Sequence, residues 1–170
     1  MSIKALNRSR TNVARSLRSS TSTPDRVIPN VKTRCNLMED WKDEFARLFE
    51  SFESYVTELL SATPVLLGEA EPPSRPGAYI IYDHNGQPSY VGEAKGSGGL
   101  QDRLLRKHLS GDDSHAIQRA YNEKFPDRAT RRNYIKKNVS VCWVETADAH
   151  TAVALERILI LMLKPRWNQR

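Results

Sequence analysis

Hydrophobic positions recur along this chain in two rhythms. Between residues 37 and 60, Met38, Trp41, Phe45, Leu48, Phe52, Tyr55 and Leu59 follow one another at spacings of three and four, while Asp40, Asp43, Glu44, Glu50 and Glu53 lie largely off that stripe. That pattern predicts an amphipathic helix. Phe49, Val56 and Leu60 widen the stripe, leaving two readings: a helix packed on its own domain, or a dimerisation helix. After Pro64 come a short apolar stretch, Val65-Leu66-Leu67, and a break at Pro72, Pro73 and Pro76. Residues 78–82 then read as a strand, Asn85-Gly86 as a hairpin turn and residues 89–92 as the returning strand. A glycine-rich loop over 95–99 leads into a helix over about 100–109. Residues 114–137 predict two short helices broken around Pro126, and 139–145 a third strand with Val139, Val141 and Trp143 on one face. The final predicted helix, 149–163, is stopped by Pro165. With no internal repeat, the expectation is an α/β fold: a small, mostly antiparallel sheet begun by a β-hairpin, flanked by helices, with an N-terminal amphipathic helix.

At 170 residues the chain has room for one ordinary domain. The boundaries expected are a basic tail over 1–35, the amphipathic helix over 36–63 and the main domain over 64–170. The longest apolar run, 152–163, is interrupted by Glu156 and Arg157, so no bilayer-spanning segment is read. Cys35 and Cys142 form no Cys-x-x-Cys pair, and no secretory segment is evident. The expectation is a reduced intracellular, cytoplasmic protein without structural zinc.

The net charge of +6 is unevenly spread. Residues 1–35 carry eight Lys/Arg against one acid, 36–94 three against eleven, and 95–137 eleven against five. Segregation of this kind suits a polyanionic partner met by some faces only, although charge blocks also serve as solvated surface. The tail reads as disordered. Its alternatives are a nucleic-acid-binding arm and an organelle transit peptide. The acidic outer face of the helix argues against DNA contact there.

Two features bear on chemistry. Tyr79 and Tyr90 share a sheet face if the hairpin loop is even. A two-residue loop pairs Tyr90 with Ile81, and a four-residue loop pairs it with Tyr79. Ordinary packing and catalysis both remain open for the pair, and the nearby Gly77 and Gly92 permit close backbone approach. Glu156 lies in an otherwise apolar helix and is therefore expected to be substantially buried. An uncompensated carboxylate there costs several kcal/mol, so it needs a cation or a strong set of hydrogen-bond donors. A salt bridge to Arg157 or to the basic segment would serve, as would a hard divalent metal.

This constellation resembles the GIY-YIG nuclease family. Its half-motifs match Gly77-Ala78-Tyr79 and Tyr90-Val91-Gly92, its arginine Arg103, its metal-binding glutamate Glu156 and its closing asparagine Asn168, over about residues 76–168. Ala78 and Val91 replace the central isoleucines and should face the core. His108 follows Arg103 by five residues, whereas some members place a histidine four after the arginine; the residue reading favours an ordinary exposed or packed side chain.

The resemblance implies an endonuclease that hydrolyses phosphodiester bonds of DNA, with RNA not excluded. It would serve as a restriction, phage-defence, mobile-element or repair enzyme. Tyr79 would orient or deprotonate the attacking water, with Tyr90 in the same hydrogen-bond network. Arg103 would grip phosphate, Glu156 would hold Mg²⁺ or Mn²⁺, and Asn168 would brace the site. Lys95, Arg106, His108, Arg128, Arg131 and Arg132 are candidate nucleic-acid contacts. Tyr121 and Tyr134 are assigned to the core. No separate DNA-reading domain is recognisable. A small chain with one site suggests a homodimer through the 37–60 helix. The alternative is a catalytically lapsed binding module of the same fold.

Overall fold

The computed structural model describes residues 31–111 and 114–169, with side chains from Asp40 onward; the basic tail up to residue 30 lies outside the described residues. The chain divides at Glu39 into two units. Apart from the start of the first helix, the second unit carries everything that follows.

The first helix, α1 (Val31–Ser61), begins six residues earlier than its hydrophobic stripe, so 31–35 belong to a helix and not to the tail. Its apolar surface divides along its length. Leu59 is fully buried, and Phe52, Tyr55 and Val56 pack beside it, whereas Trp41, Phe45, Leu48 and Phe49 are exposed.

Four strands follow: β1 (Val65–Leu66), β2 (Gly77–Tyr82), β3 (Pro88–Ala94) and β4 (Ser140–Glu145). They form one antiparallel sheet in the order β1-β4-β2-β3, which leaves β3 at an edge. In the hairpin Ile81 pairs with Tyr90 and Tyr79 with Gly92, the register of the two-residue loop. A bulge at Ile81/Tyr82 makes the turn itself wider. Asp83 organises that turn, its carboxylate accepting from the backbone N–H groups of Asn85 (2.8 Å) and Gln87 (3.0 Å).

Helices cover both faces. On one, α5 (Ala149–Leu163) lays Leu155 and Leu159 against Ala78, Ile80, Val91 and Val144, so both residues replacing the motif isoleucines are core. Asp148 caps this helix through Thr151 N at 2.8 Å. On the other face lie α2 (Gly99–Gln101), a π-helix (Asp102–Leu109) continuing from it, α3 (Ala116–Asn122) and α4 (Arg128–Asn138). They enclose Tyr79, Ile81, Leu100, Leu104, Ile117 and Ile135. Tyr121 belongs to this core and Tyr134 packs against it, as expected. Among the described residues no helix is long and apolar enough to cross a membrane.

Candidate active site at the edge strand

The two helical layers converge at the β3 edge. Tyr90 projects there from β3, the π-helix contributes Arg103 and His108, α5 contributes Glu156, and Asn168 arrives from the segment after α5. All five line one cavity of about 590 Å³, together with His115, Arg119, Arg157 and Trp167.

Tyr79 stands one layer back. It is fully buried and does not line the cavity. Its ring lies toward its cross-strand partner Gly92, where a Cβ would come within 2.2 Å of the phenol oxygen. The Tyr79 hydroxyl accepts from Arg103 Nε at 3.2 Å and lies 2.5 Å from His108 Nε2. The resemblance implies that Tyr79 orients or deprotonates the attacking water; in this structure its hydroxyl meets Arg103 and His108 and it stands outside the cavity lining. Absence of a side chain at Gly92 lets the phenol sink behind the cavity wall.

His108, read from the sequence as an exposed or packed histidine and as a candidate nucleic-acid contact, is packed among the other candidate residues. It is 1% exposed. Its ring meets Tyr79 and Tyr90 edge-on, at centroid separations of 5.5 and 5.4 Å, and lies 5.8 Å from that of His115. Burial first, then the positive charges of Arg103, His115 and Lys107, push its pKa well below 6.5, so it is neutral at physiological pH. Burial, reinforced by Tyr90, pushes Tyr79 well above 10. A neutral phenol thus donates to a neutral imidazole. His108 Nε2 is the acceptor, so the tautomer places its proton on Nδ1, which is buried without a hydrogen-bond partner.

The Glu156 side chain is 13% exposed, and Arg157 is a loose partner at 3.9 Å. Burial raises its pKa above 4.5; Arg157 opposes the shift and Glu93 adds to it. A half-satisfied carboxylate facing a polar cavity fits a hard divalent cation. Among the described residues no three His, Cys, Asp or Glu side chains cluster as a metal site, so an ion held by Glu156 would complete its shell with water or phosphate oxygen.

Asn168 is a brace. Its Oδ1 accepts from Val91 N and its Nδ2 donates to Val91 O, each at 2.8 Å. Lys164 turns the chain after α5 in a left-handed conformation (φ 46°), and Trp167 N donates to Ser89 O at 2.9 Å. Arg166 fixes the same segment through an ion pair with the buried Asp83 at 2.5 Å.

The candidate nucleic-acid contacts scatter. Lys95 lines a smaller adjoining cavity of about 200 Å³ with Arg103 and Lys107, its ammonium 3.4 Å from Glu93. Arg106 is exposed and 3.8 Å from Asp102. Arg128 and Arg132 donate to the carbonyls of Gly111 and Ser110. Arg131 is overturned as a surface contact. It is 1% exposed and donates to Gln118 Oε1 (2.9 Å), Asn122 Oδ1 and Phe125 O (3.1 Å), holding α3 and α4 together.

Sequence reasoning missed Glu93, His115 and Trp167. Glu93, beside the motif Gly92, carried a usable signal; the other two are brought in by packing.

No family model matches the chain. Over 96 residues it is 32% identical to UvrABC system protein C of Flavobacterium johnsoniae, covering 56% of this chain and 13% of that one. The same protein of Aquifex aeolicus matches at 31% over 96 residues, covering 56% and 14%. The likeness to the GIY-YIG family stands. The chain spans 13% of the length of the first of these relatives. Among solved structures, the GIY-YIG N-terminal endonuclease domain of UvrC from Thermotoga maritima, a point mutant bound to the catalytic divalent cation, is 21% identical. It covers 58% of this chain and 87% of that one, with a TM-score of 0.38. Gly77-Ala78-Tyr79 and Tyr90-Val91-Gly92 lie on the paired strands β2 and β3.

Proposed function

We infer that this chain is a metal-dependent endonuclease that hydrolyses phosphodiester bonds of DNA. The observation that carries the reading is the linked set Arg103–Tyr79–His108, facing Glu156 across one cavity.

Phosphodiester hydrolysis needs a placed water, a proton acceptor and charge stabilisation. Tyr90 and the neutral His108 supply proton-handling groups at the cavity wall. Tyr79 behind them is a positioning residue: its hydroxyl fixes Arg103 and holds the His108 tautomer. Arg103, its guanidinium kept charged by the phenols beside it despite its burial, grips a non-bridging phosphate oxygen. Glu156 would hold Mg²⁺ or Mn²⁺, which when bound offsets the charge developing on the departing oxygen.

The test is cleavage of plasmid, single-stranded DNA and RNA with Mg²⁺, Mn²⁺ or EDTA, with Glu156→Ala and Tyr79→Phe alongside. Metal-dependent cutting of DNA that disappears in Glu156→Ala and falls sharply in Tyr79→Phe is expected. A folded chain that binds these substrates and cuts none would replace this reading with the lapsed binding module.

A further inference from the structure

The main cavity does not end at Asn168. A second, shallower cavity of about 380 Å³ shares Ala116, Arg119 and Trp167 with it and continues past Ala120 to Gln169. The two form one groove running from the candidate catalytic groups along the outer face of α3.

The groove has the chemistry of a stacking platform with a phosphate anchor. Trp167 is half-buried. It is held by Tyr121 edge-on, with ring centroids 5.7 Å apart, and by the Arg166 guanidinium 5.3 Å from its ring centroid. Its backbone is tied to Ser89, which fixes the main chain that carries the indole. Ala116 and Ala120 line the same cavity and present only methyl groups, leaving room for a flat ring. Arg119 lies between the two cavities, exposed, with one guanidinium nitrogen donating to Ser114 O. A planar anchor, small facing residues and a cation one helical turn from Ala116 suit an unpaired base followed by its phosphate.

We propose that this groove is a binding subsite for an unstacked nucleobase next to the cleaved phosphate, with Trp167 stacking on the base and Arg119 contacting the backbone. This deepens, and rests on, the nuclease reading. It names the substrate as a strand whose bases are exposed beside the cut.

The test uses the full chain carrying Glu156→Gln, so that DNA is bound without being cut. Two fluorescent oligonucleotides of equal length are titrated in EDTA, one of deoxythymidines and one abasic. Both carry the same phosphates. The deoxythymidine strand should bind about tenfold more tightly, the scale expected of one stacked base. Trp167→Leu should abolish that preference while leaving abasic binding unchanged, Trp167→Phe should retain part of it, and Arg119→Gln should weaken both strands alike. Equal affinity of the parent for the two strands, or a preference that survives Trp167→Leu, overturns the proposal. Should Trp167→Leu fail to fold, a protein with Trp167 as its sole tryptophan (Trp41→Phe, Trp143→Phe) decides: its fluorescence should be quenched by deoxythymidine and not by the abasic strand, and the reverse overturns the subsite. Cutting by wild type without a base preference rejects the subsite alone. A base preference without cutting in any metal rejects the nuclease alone.

Discussion

Arg103 and His108 converge on the same phenol oxygen of Tyr79, although five residues separate them. In an α-helix, at about 100° per residue, such a pair diverges by about 140° around the axis. In a π-helix, with about 4.4 residues per turn, they diverge by only about 50°. That is close to the roughly 40° that separates positions i and i+4 of an α-helix. The π-helix over Asp102–Leu109 thus absorbs one extra residue and restores the facing that a spacing of four would give.

Removing that extra residue should therefore be tolerated. Deleting the exposed Arg106 is expected to convert the segment to α-helix and keep cleavage within about tenfold of wild type, under about 1.4 kcal/mol of barrier. A deletion variant that stays folded but is as inactive as His108→Ala would sink the idea.

Stability should fall on mild acidification. The pKa of His108 is lower in the folded chain than its ordinary 6.5. Below about pH 6.5 the unfolded chain therefore takes up a proton that the folded chain refuses, and stability is lost until the folded pKa is reached. Thermal melts between about pH 7 and pH 5 should show Tm declining in wild type and a shallower slope in His108→Gln. Identical slopes would mean that His108 is not held neutral by the fold.

Glu156 has the opposite sign. Its pKa is raised on folding, so ionisation above about pH 4.5 works against the folded state. Glu156→Gln should raise Tm at pH 7 by a few degrees while abolishing metal-dependent cleavage, a stability–activity trade-off. Calorimetric metal titration should show wild-type affinity weakening from pH 7 toward pH 5 as protons compete for the carboxylate. A less stable Glu156→Gln would argue for a structural ion pair.

Arg131 and its neighbours on α4 should separate fold from binding. Arg131→Met strands the acceptors on Gln118, Asn122 and Phe125 and should cost about 2–4 kcal/mol in denaturant melts. Arg128→Gln combined with Arg132→Gln should cost less than about 1 kcal/mol. If these two arginines contact phosphates, that pair should also flatten the salt dependence of DNA binding. An Arg131→Met protein of unchanged stability would refute the buried role.

The exposed Phe45, Leu48 and Phe49 meet Ile158 and Met162 of α5 in an apolar cavity of about 390 Å³. Two copies pairing through this face should give a dimer mass by light scattering, and Phe49→Glu should give a monomer. A wild-type monomer, free and DNA-bound, would end that proposal.

Much of this was legible in residue order. Strands β2, β3 and β4, an even hairpin register that puts Tyr79 and Tyr90 on one face, the buried setting of Glu156 and the extent of α5 follow from alternation, turn chemistry and the stop at Pro165. What failed did so for physical reasons. A spacing of five looked wrong for His108 because sequence periodicity assumes an α-helix, and nothing local announces a π-helix. Arg131 looked like surface because its partners are polar groups 6–13 residues away, which only the packing of α3 on α4 brings together. Whether Tyr79 packs or reacts stayed open because the space left by Gly92 is visible only in three dimensions.

The segment after α5 does more than steady the candidate site. β3 is an edge strand, and an edge strand offers spare backbone donors and acceptors to any other extended chain. Here Ser89 O is taken by Trp167, and Val91 N and O by Asn168. The strand that carries Tyr90 is thereby sealed against pairing with a foreign strand. Losing Asn168 would expose an adhesive edge in the same stroke that loosens the site, so aggregation should accompany inactivation.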